Sequence, residues 1–409
     1  MHKAQYQIHK IYISLENLLV HGSPLGEEEI QLVRKKLNWG HQPFSIPSSI
    51  LEAWRNIGKK GLQEEERWKK KNKLKNNSLS HLKKLSSIIT KAKKNAAQND
   101  KPIATRKSSE DILTLLTNGI PELVGGSADL AGSNNTKTKN SKVISAKDFD
   151  GNYIHYGIRE HGMAAAMNGL ALYGGIIPYG GTFLIFSDYC KPSIRLSALM
   201  GLKVIYIFSH DSIGLGEDGP THQPIEQLAG LRAIPNLNAF RPADINETLE
   251  CWQIALKSKK TPSAIVLSRQ KLPYVNPSFT KENKCELGAY VVNATSQNNK
   301  ITLIASGSEV EIALEAQKKL KESNLDSTVV SMPCQELFDQ QNNQFKNDII
   351  QKDIPVITIE AGSVMGWEKY SKNNMGINSF GESGPYKEVY KHFDLTSDKI
   401  VALTKKLVR

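Results

Sequence analysis

Short apolar runs alternate with amphipathic helical segments from about residue 101 to the end of the chain. Five of these runs are rich in β-branched and aliphatic residues: VIYIF (204–208), AIVLS (264–268), TLIAS (302–306), VVSMP (329–333) and VITIE (356–360). Strands that are apolar on both faces are typical of parallel sheets covered by helices. The pattern predicts an α/β fold built from doubly wound, mostly parallel sheets.

Two helix starts carry the spacing of a capping box, in which the N-cap side chain and a glutamate three residues later bond to each other's backbone. Ser308 and Glu311 have this spacing in GSEVEIALEAQKKL, and Asp244 and Glu247 have it in ADINETLECWQIAL. The sequence therefore predicts helices that begin just after Ser308 and Asp244.

The periodic pattern breaks in KLPYVNPSFTKENK, residues 271–284, where prolines and asparagines accumulate. This break separates two α/β domains, and a segment of different composition precedes them. The predicted parts of the chain are 1–100, 101–275 and 284–409.

Composition limits the class of protein. With 409 residues, of which 39% are hydrophobic, the chain can bury more than one core. Its four cysteines form no CxxC pair and no secretory signal is present, so we expect a cytoplasmic location. The longest apolar stretch, residues 169–186, is interrupted by glycines, a proline and tyrosines, and we interpret it as buried core rather than a membrane span.

The net charge of +12 comes from one segment. Between Arg55 and Lys107 there are seventeen Lys or Arg residues and four Asp or Glu residues, so the rest of the chain is close to neutral. We interpret this segment as a basic, solvated helical linker. A contact between domains or subunits is an alternative. A nucleic-acid contact has little support, because no aromatic residues are interleaved on a defined face.

The loop HDSIGLGEDGPTHQPIEQ, residues 210–227, follows the predicted strand VIYIF. Open α/β sheets bind ligands at the carboxyl ends of their strands. Titratable side chains that could converge there on one small polar ligand are His210, Asp211, Glu217, Asp218 and His222. A turn-rich surface loop with incidental histidines is the alternative. A metal site is disfavoured, because the loop has no H-x-x-x-H spacing or carboxylate ladder.

Glu160 lies in an apolar, glycine-rich stretch, HYGIREHGMAAAMNGLALYGG. Taken alone, a carboxylate in the first turn of a helix is explained by the helix dipole, which stabilises it by about 0.3 to 1 kcal/mol. A chemical role for Glu160 therefore needs evidence from elsewhere in the chain.

Seven segments resemble signatures of the transketolase family, in the same order and with similar spacing: HGSPLG (21–26), GGSADLAGSN (125–134), GIREHGM (157–163), GGTFLIFSDY (180–189), HDSIGLGEDGPTHQP (210–224), LSRQKLP (267–273) and FGESGP (380–385). The resemblance implies an enzyme that uses thiamine diphosphate to move a two-carbon ketol unit from a ketose phosphate to an aldose phosphate, a reaction of the pentose phosphate pathway. Residues 101–275 resemble the family's pyrimidine-binding domain, and 284–409 resemble its carboxy-terminal domain.

The resemblance implies a set of cofactor residues. Glu160 matches the carboxylate that bonds the pyrimidine N1′, which allows the cofactor's own amino group to act as a base. Aromatic side chains of GGTFLIFSDY would pack on the pyrimidine ring. The implied cofactor contacts are Asp129, Leu130, Glu160, Phe183, Phe186, Tyr189 and His21.

Substrate residues follow from the same resemblance. A sugar phosphate needs cations at its phosphate end and polar partners near its hydroxyls. The positions that match phosphate contacts are Arg106, Ser133, His210 and Arg269. Asp218 and His222 match residues that read sugar hydroxyls and assist proton transfer, and His21 matches a histidine that reaches cofactor and substrate. The implied catalytic residues are Glu160, His222 and His21.

The sequence departs from the family pattern in the diphosphate-binding domain. The family's diphosphate-binding domain carries a GDG motif and an asparagine that hold Mg²⁺ or Ca²⁺ against the diphosphate, and this chain lacks them. We therefore expect that domain to be mostly absent, with residues 1–100 forming a remnant of its end plus the basic helical linker, and with the metal ligands elsewhere. The chain would be a fragment, a frame-disrupted product or a split subunit, inactive without a diphosphate-binding domain.

Two further readings stay open. The first is the pyrimidine-domain subunit of a 2-oxoacid dehydrogenase or a related synthase, which the GEDGPTHQP loop and the arginines Arg106 and Arg269 disfavour. The second is a non-catalytic remnant that only forms dimers. The expected partners are sugar phosphates and either a second copy of the chain or a separate diphosphate-domain subunit, with no membrane.

Overall fold

The computed structural model describes residues 25–71, 80–98, 101–275, 279–351 and 353–408 of the chain. The chain divides into two compact units, Met1–Asn76 and Asn77–Arg409. His21, a predicted cofactor and substrate residue, lies outside the described residues.

The described part of the first unit consists of helices α1 (Glu27–Lys36) and α2 (Ser48–Lys71). Neither helix buries a residue within the described part of the chain. Side chains of α2 such as Trp54 and Ile57 are exposed, and its charged residues form surface pairs such as Arg67 with Glu64. Pairs of this kind add at most about 1 kcal/mol. This half of the basic segment is a solvated helix.

The second unit begins with α3 (Ser80–Ala96) and contains two sheets. The elements of the first sheet and its helices are α4 (Thr105–Gly119), β1 (Leu123–Ser127), α5 (Ala131–Asn134), β2 (Tyr153–His155), α6 (Glu160–Tyr173), β3 (Ile177–Phe183), α7 (Ser187–Leu199), β4 (Ile205–Ser209), α8 (Gln227–Arg232), β5 (Asn238–Phe240), α9 (Ile245–Lys257) and β6 (Ser263–Leu267). All strand pairs are parallel, in the order β2-β1-β3-β4-β6-β5.

Strand β4 is buried on both faces. Ile205 and Ile207 contribute to the core that contains Trp252 of α9, whereas Tyr206 and Phe208 contribute to the core that contains Met163 of α6. Because side chains alternate along a strand, these two cores lie on opposite faces of the sheet. Helices cover both faces, as the apolar strands predicted.

The second sheet follows residue 284. Its elements are β7 (Tyr290–Ala294), β8 (Ile301–Ala305), α10 (Glu309–Glu322), β9 (Ser327–Ser331), α11 (Gln335–Asp339), α12 (Asn343–Ile350), β10 (Val356–Ile359), β11 (Asn373–Met375), α13 (Tyr386–His392) and α14 (Ser397–Leu407). The order is β11-β10-β8-β9-β7, and only β7 pairs antiparallel among the described strands. The α/β fold class is confirmed, with one parallel and one mixed sheet.

Of the two predicted N-cap side chains, Asp244 caps its helix and Ser308 does not. Asp244 accepts a hydrogen bond from the Glu247 amide at 2.9 Å, as predicted. Helix α10 begins at Glu309, directly after Ser308, as predicted, but the capping box is wrong because the Ser308 side chain caps no amide of α10. The Ser308 hydroxyl instead donates to the Glu309 carboxylate at 2.8 Å and accepts from Arg241 Nη2 at 3.1 Å, so a buried ionic cluster takes the place of the cap.

Helix α3 is part of the second unit's core. Leu85 and Ile89 are buried with the apolar residues of α4 and α9. Lys93, only 3% exposed, forms an ion pair with Glu250 of α9 at 2.5 Å and donates to the Glu282 carbonyl at 2.7 Å. The linker interpretation therefore does not hold for Ser80–Ala96, which covers the sheet domain.

Residues 169–186, interpreted as buried core, form the end of α6 and strand β3. Six of the seven residues of β3 are buried. No helix in the described part of the chain is long and apolar enough to cross a membrane.

Candidate active site

The strands β1, β3, β4 and β6 lie side by side and parallel, so their carboxyl ends meet at one edge of the sheet. Ser209 at the end of β4 is paired with both Phe183 of β3 and Leu267 of β6. Predicted site residues lie at or just beyond these strand ends: Asp129, Phe183, His210 and Arg269. Arg106, in the first turn of α4, is joined to the end of β6 because its amide donates to the Ser268 carbonyl at 3.4 Å.

Aromatic side chains and histidines form a continuous wall at this edge. The Phe183 ring stacks on His210, with 3.7 Å between centroids, and on Phe186, with 5.8 Å. Phe186 also contacts the Tyr189 ring at 6.0 Å and the edge of the His222 ring at 5.4 Å. The structure thus brings five of the predicted residues into one cluster.

Positive charge is concentrated next to this wall. Burial, together with the nearby Arg269, lowers the pKa of Arg106 from its ordinary value. The Arg106 guanidinium donates to the Ser133 carbonyl at 2.6 Å. Arg269 is exposed and lines a pocket of about 730 Å³ with Glu217 and Lys271. Two guanidinium groups close enough for Arg269 to lower the pKa of Arg106 form a site that favours an anion.

His210 is part of the aromatic wall and interacts electrostatically with both cations. Burial, with the charges of Arg106 and Arg269, lowers the pKa of His210 to about 3, so the imidazole is neutral near pH 7. Its Nδ1 is 2.9 Å from the Ser209 hydroxyl, and its Nε2 is 3.6 Å from Asp218 Oδ2. A neutral imidazole does not form an ion pair with that carboxylate, but it can donate one hydrogen bond to a ligand.

The backbone of His210 is left-handed, with φ of 60°. Non-glycine residues in this region cost of the order of 1 to 3 kcal/mol and cluster at functional sites. The conformation persists only where neighbouring contacts hold it, as β4 does at Ser209.

Glu160 begins α6 and is 9% exposed. Among the described residues, no side chain donates to its carboxylate or forms an ion pair with it. Burial, followed by the charge of Glu160, raises the pKa of the Cys190 thiol to about 12, which indicates that this carboxylate faces α7. A buried carboxylate without a protein donor is suited to a ligand that brings its own N–H group.

Asp129 and Leu130 follow β1. Asp129 is exposed with a left-handed φ of 60°, and the Leu130 amide donates to the Ser127 hydroxyl at 3.1 Å. In the described part of the chain, no hydrogen bond or ring contact joins Asp129, Leu130 or Glu160 to the His210 cluster. The described residues also contain no group of three or more His, Cys, Asp and Glu side chains that could hold a metal ion.

Sequence reasoning missed residues that support the site. Ser209 bonds the His210 ring, and Arg241 forms a hydrogen-bonded ion pair with Asp211, directly after His210. Arg241 follows β5, a strand of three residues with too little pattern to be predicted. The only available signal was the arginine in a buried apolar setting, AFRPAD.

Three family models match the chain. The transketolase pyrimidine binding domain matches residues 101–275, the transketolase-like C-terminal domain matches 288–396, and the transketolase thiamine diphosphate binding domain matches 14–93. A transketolase of Sinorhizobium medicae is 47% identical over 401 residues, which are 95% of this chain and 58% of that protein. The chain belongs to the transketolase family.

Solved transketolase structures have the same fold. One from Pichia stipitis in complex with sedoheptulose 7-phosphate is 36% identical, with a TM-score of 0.84, and the match covers 94% of this chain and 59% of that one. A split gene transketolase, described as an inactive β4 tetramer, is 26% identical with a TM-score of 0.62, and the match covers 75% of this chain and 98% of that one.

The match over 14–93 corrects the expectation that the thiamine diphosphate binding domain of transketolase is mostly absent. The expectation rested on the missing GDG motif, whereas residues 14–93 match the domain without a glycine-rich phosphate loop. The expectations of a truncated chain and of inactivity that rested on this absence are therefore not supported. The chain spans 58% to 61% of the length of the curated transketolases that it matches.

Proposed function

We propose that the chain is a transketolase, which transfers a two-carbon ketol unit from a ketose phosphate to an aldose phosphate with thiamine diphosphate. One observation carries the sugar-phosphate part of this proposal: the charges of Arg106, whose own pKa is lowered, and of Arg269 act together on the neutral imidazole of His210. A phosphate dianion relieves the repulsion between the guanidinium groups and accepts a hydrogen bond from the imidazole.

The family match and the unpaired Glu160 carboxylate support thiamine diphosphate as the cofactor. Glu160 would bond the N1′ position of the pyrimidine, and Phe183, Phe186 and Tyr189 would form the wall beside the ring. Asp129 and Leu130 would lie against the cofactor at the end of β1. When bound, the cofactor supplies the electron sink for the two-carbon unit. A family metal such as Mg²⁺ or Ca²⁺ stays an expectation.

Asp218 and His222 would bind the sugar between the phosphate site and the aromatic wall. The His222 ring lies 6.3 Å from Phe183 and 5.4 Å from Phe186, and it is half-buried. A neutral or protonated imidazole at this place can donate to a hydroxyl and exchange a proton with it. Ser133, whose carbonyl holds Arg106, would complete the phosphate end.

A second copy of the chain is the proposed partner. Helices α6 and α7 expose several large apolar side chains, including Tyr173 at 77%, Leu199 at 70% and Tyr189 at 66%. Such a face is typical of a protein contact. Tyr189 also stacks on Phe186, so this contact would close the site from one side. Sedimentation of the purified chain would test it, and a monomer at micromolar concentration would contradict it.

The activity is tested with sedoheptulose 7-phosphate as donor and glyceraldehyde 3-phosphate as acceptor, in the presence of thiamine diphosphate and Mg²⁺. Transfer of the two-carbon unit gives one five-carbon ketose phosphate and one five-carbon aldose phosphate. These two products have the same mass, so mass spectrometry follows the gain of pentose phosphate against the loss of the seven-carbon donor and the three-carbon acceptor. Binding of sedoheptulose 7-phosphate and of dephosphorylated sedoheptulose is measured in parallel by calorimetry. Equal binding of the two sugars together with no transfer would contradict the proposal.

A further inference from the structure

A buried ionic cluster lies behind the site, at the contact between the two sheets. Arg241 is 1% exposed, and its guanidinium lies between the two domains of the second unit. On the carboxy-terminal side it donates to the Ser306 carbonyl at 2.9 Å, to the Ser308 hydroxyl at 3.1 Å and to the Glu309 carboxylate. Each of these partners is at the start of α10 or just before it.

The other side of the guanidinium faces the substrate loop. Arg241 Nε donates to Asp211 Oδ2 at 3.0 Å, and Arg241 Nη2 lies 2.9 Å from the same oxygen as an ion pair. The Ser212 hydroxyl donates to the second oxygen of Asp211 at 3.2 Å and lies 3.5 Å from the Tyr390 hydroxyl. The two residues after His210 are therefore bonded to a cluster that the carboxy-terminal domain supplies.

Several carboxylates surround the buried guanidinium of Arg241. Burial alone would lower the pKa of Arg241, but the carboxylates of Glu309, Asp211 and Glu360 raise it well above its ordinary value. Arg232, which belongs to the first domain, donates two hydrogen bonds of 2.7 Å and 2.8 Å to the Glu360 carboxylate. If Arg241 moved, the carboxylates of Asp211 and Glu309 would stay buried without a cation, so the cluster has one strongly favoured arrangement.

The backbone of the carboxy-terminal domain also surrounds Arg241. The Gly307 amide donates to the Arg241 carbonyl at 3.1 Å, and the Arg241 amide donates to the Pro333 carbonyl at 2.8 Å. Gly307 has a φ of 54°, and a Cβ atom there would lie 2.8 Å from Arg241 Cγ. The arginine is therefore held at main chain and side chain alike.

We propose that Arg241 is a positioning residue for His210, through which the carboxy-terminal domain holds the substrate loop in place. The left-handed backbone of His210 requires contacts on both of its sides. Strand β4 supplies one at Ser209, and the Arg241 ion pair supplies the other at Asp211. The role in catalysis rests on the proposed function, whereas the effect on the His210 side chain does not.

Two variants change the position or the shape of the cation while keeping its positive charge in the cluster. Gly307→Ala pushes Arg241 away through its new Cβ, and Arg241→Lys loses the fork that bonds Asp211. Gly201→Ala is the matched control, since Gly201 has a similar φ of 62° and lies in the turn before β4, away from His210. Each of the three substitutions changes the protein by only a few atoms. Thermal unfolding measures the loss of stability in each variant.

The first readout is independent of turnover. The imidazole signals of His210 are followed by NMR in the full chain with labelled histidine, during titration with inorganic phosphate. We expect Gly307→Ala and Arg241→Lys to shift the His210 signals and to weaken the phosphate response roughly tenfold, as for a lost bond to a charged group. Gly201→Ala should leave both unchanged at an equal loss of stability.

The second readout is kinetic. The two displacing variants should raise the KM for glyceraldehyde 3-phosphate with little change in kcat, while glycolaldehyde is used as by the wild type. Unchanged His210 signals and an unchanged phosphate response in both variants, at a lower unfolding temperature, would overturn the proposal. A wild-type chain without ketol transfer would contradict the proposed function alone, because the NMR titration still tests the positioning.

Discussion

The imidazole of His210 stacks on the ring of Phe183, with 3.7 Å between the ring centroids and 30° between the planes. The stack helps to bury the imidazole, and the charges of Arg106 and Arg269 act on it. Burial and these charges both disfavour a positive charge on the ring. The stacked histidine is therefore neutral near pH 7.

The folded chain should lose stability in acid because of His210. Its pKa falls from 6.5 to about 3 on folding, so the unfolded chain binds more protons between these values. The stability that the neutral ring provides is complete above about pH 6.5 and declines as the pH falls towards 3. His210→Asn, in which asparagine tolerates the left-handed backbone, should flatten this decline.

Urea unfolding at several pH values measures this effect. The control is His392→Asn, since His392 is exposed on α13. That control should follow the wild-type curve, and a His210→Asn curve that also follows it would show that His210 is not the group responsible.

The phosphate end is tested by Arg106→Ala and Arg269→Ala. Each should remove a charge-assisted contact worth about 1.5 to 3 kcal/mol in binding. The KM for phosphorylated sugars should therefore rise roughly 10-fold to 150-fold, while glycolaldehyde is used nearly as before. Lys318→Ala, an exposed cation of α10, is the control for net charge. Equal losses for both acceptors would mean that the arginines support the structure rather than bind phosphate.

Glu160→Gln tests the proton-transfer role. An amide cannot take up the proton that the pyrimidine shares, so turnover should fall about 10² to 10⁴-fold. Exchange of the thiazolium proton of bound cofactor, followed by NMR, should slow in parallel. Glu322→Gln removes an exposed carboxylate at the end of α10 and should change neither rate. An unchanged exchange rate in Glu160→Gln would exclude this role for the carboxylate.

The ion pair between Lys93 and Glu250 predicts a non-additive effect on stability. Lys93→Met leaves the Glu250 carboxylate buried without a cation and should cost about 3 to 5 kcal/mol of unfolding free energy. Adding Glu250→Gln should recover part of this loss, because it removes the unpaired charge. Lys91→Met, at an exposed position of α3, controls for the lost lysine. Additive losses in the double variant would argue against a coupled pair.

The apolar strands were predictable because burial on both faces leaves a continuous run of aliphatic residues. Strand β1 was not, since its sequence is LVGGS and glycine is disfavoured in strands. Its glycines have a packing reason: a Cβ at Gly125 would lie 2.1 Å from Tyr179 Cζ. That reason depends on the ring of a neighbouring strand, which a local pattern does not contain.

The candidate site was also predictable only in part. Sequence motifs predicted the residues at the strand ends, and the structure places Phe183, His210 and His222 together. The ion pairs that support these residues were not predictable. Arg241 pairs with Asp211, which is far earlier in the sequence, and with Glu309, which is far later. Buried arginines are rare, so composition offers no general expectation for them.

The packing of α3 decides where the chain can be divided. Family models assign residues up to 93 to one domain and residues from 101 to the next, yet Lys93 is bonded to Glu250 in the second of these. A fragment that starts at residue 101 would leave the Glu250 carboxylate without its counter-ion, whereas one that starts at Ser80 would carry it. Exchanges of segments between relatives should therefore move this helix together with the sheet that it covers. The helix belongs by ancestry to one domain and by packing to another.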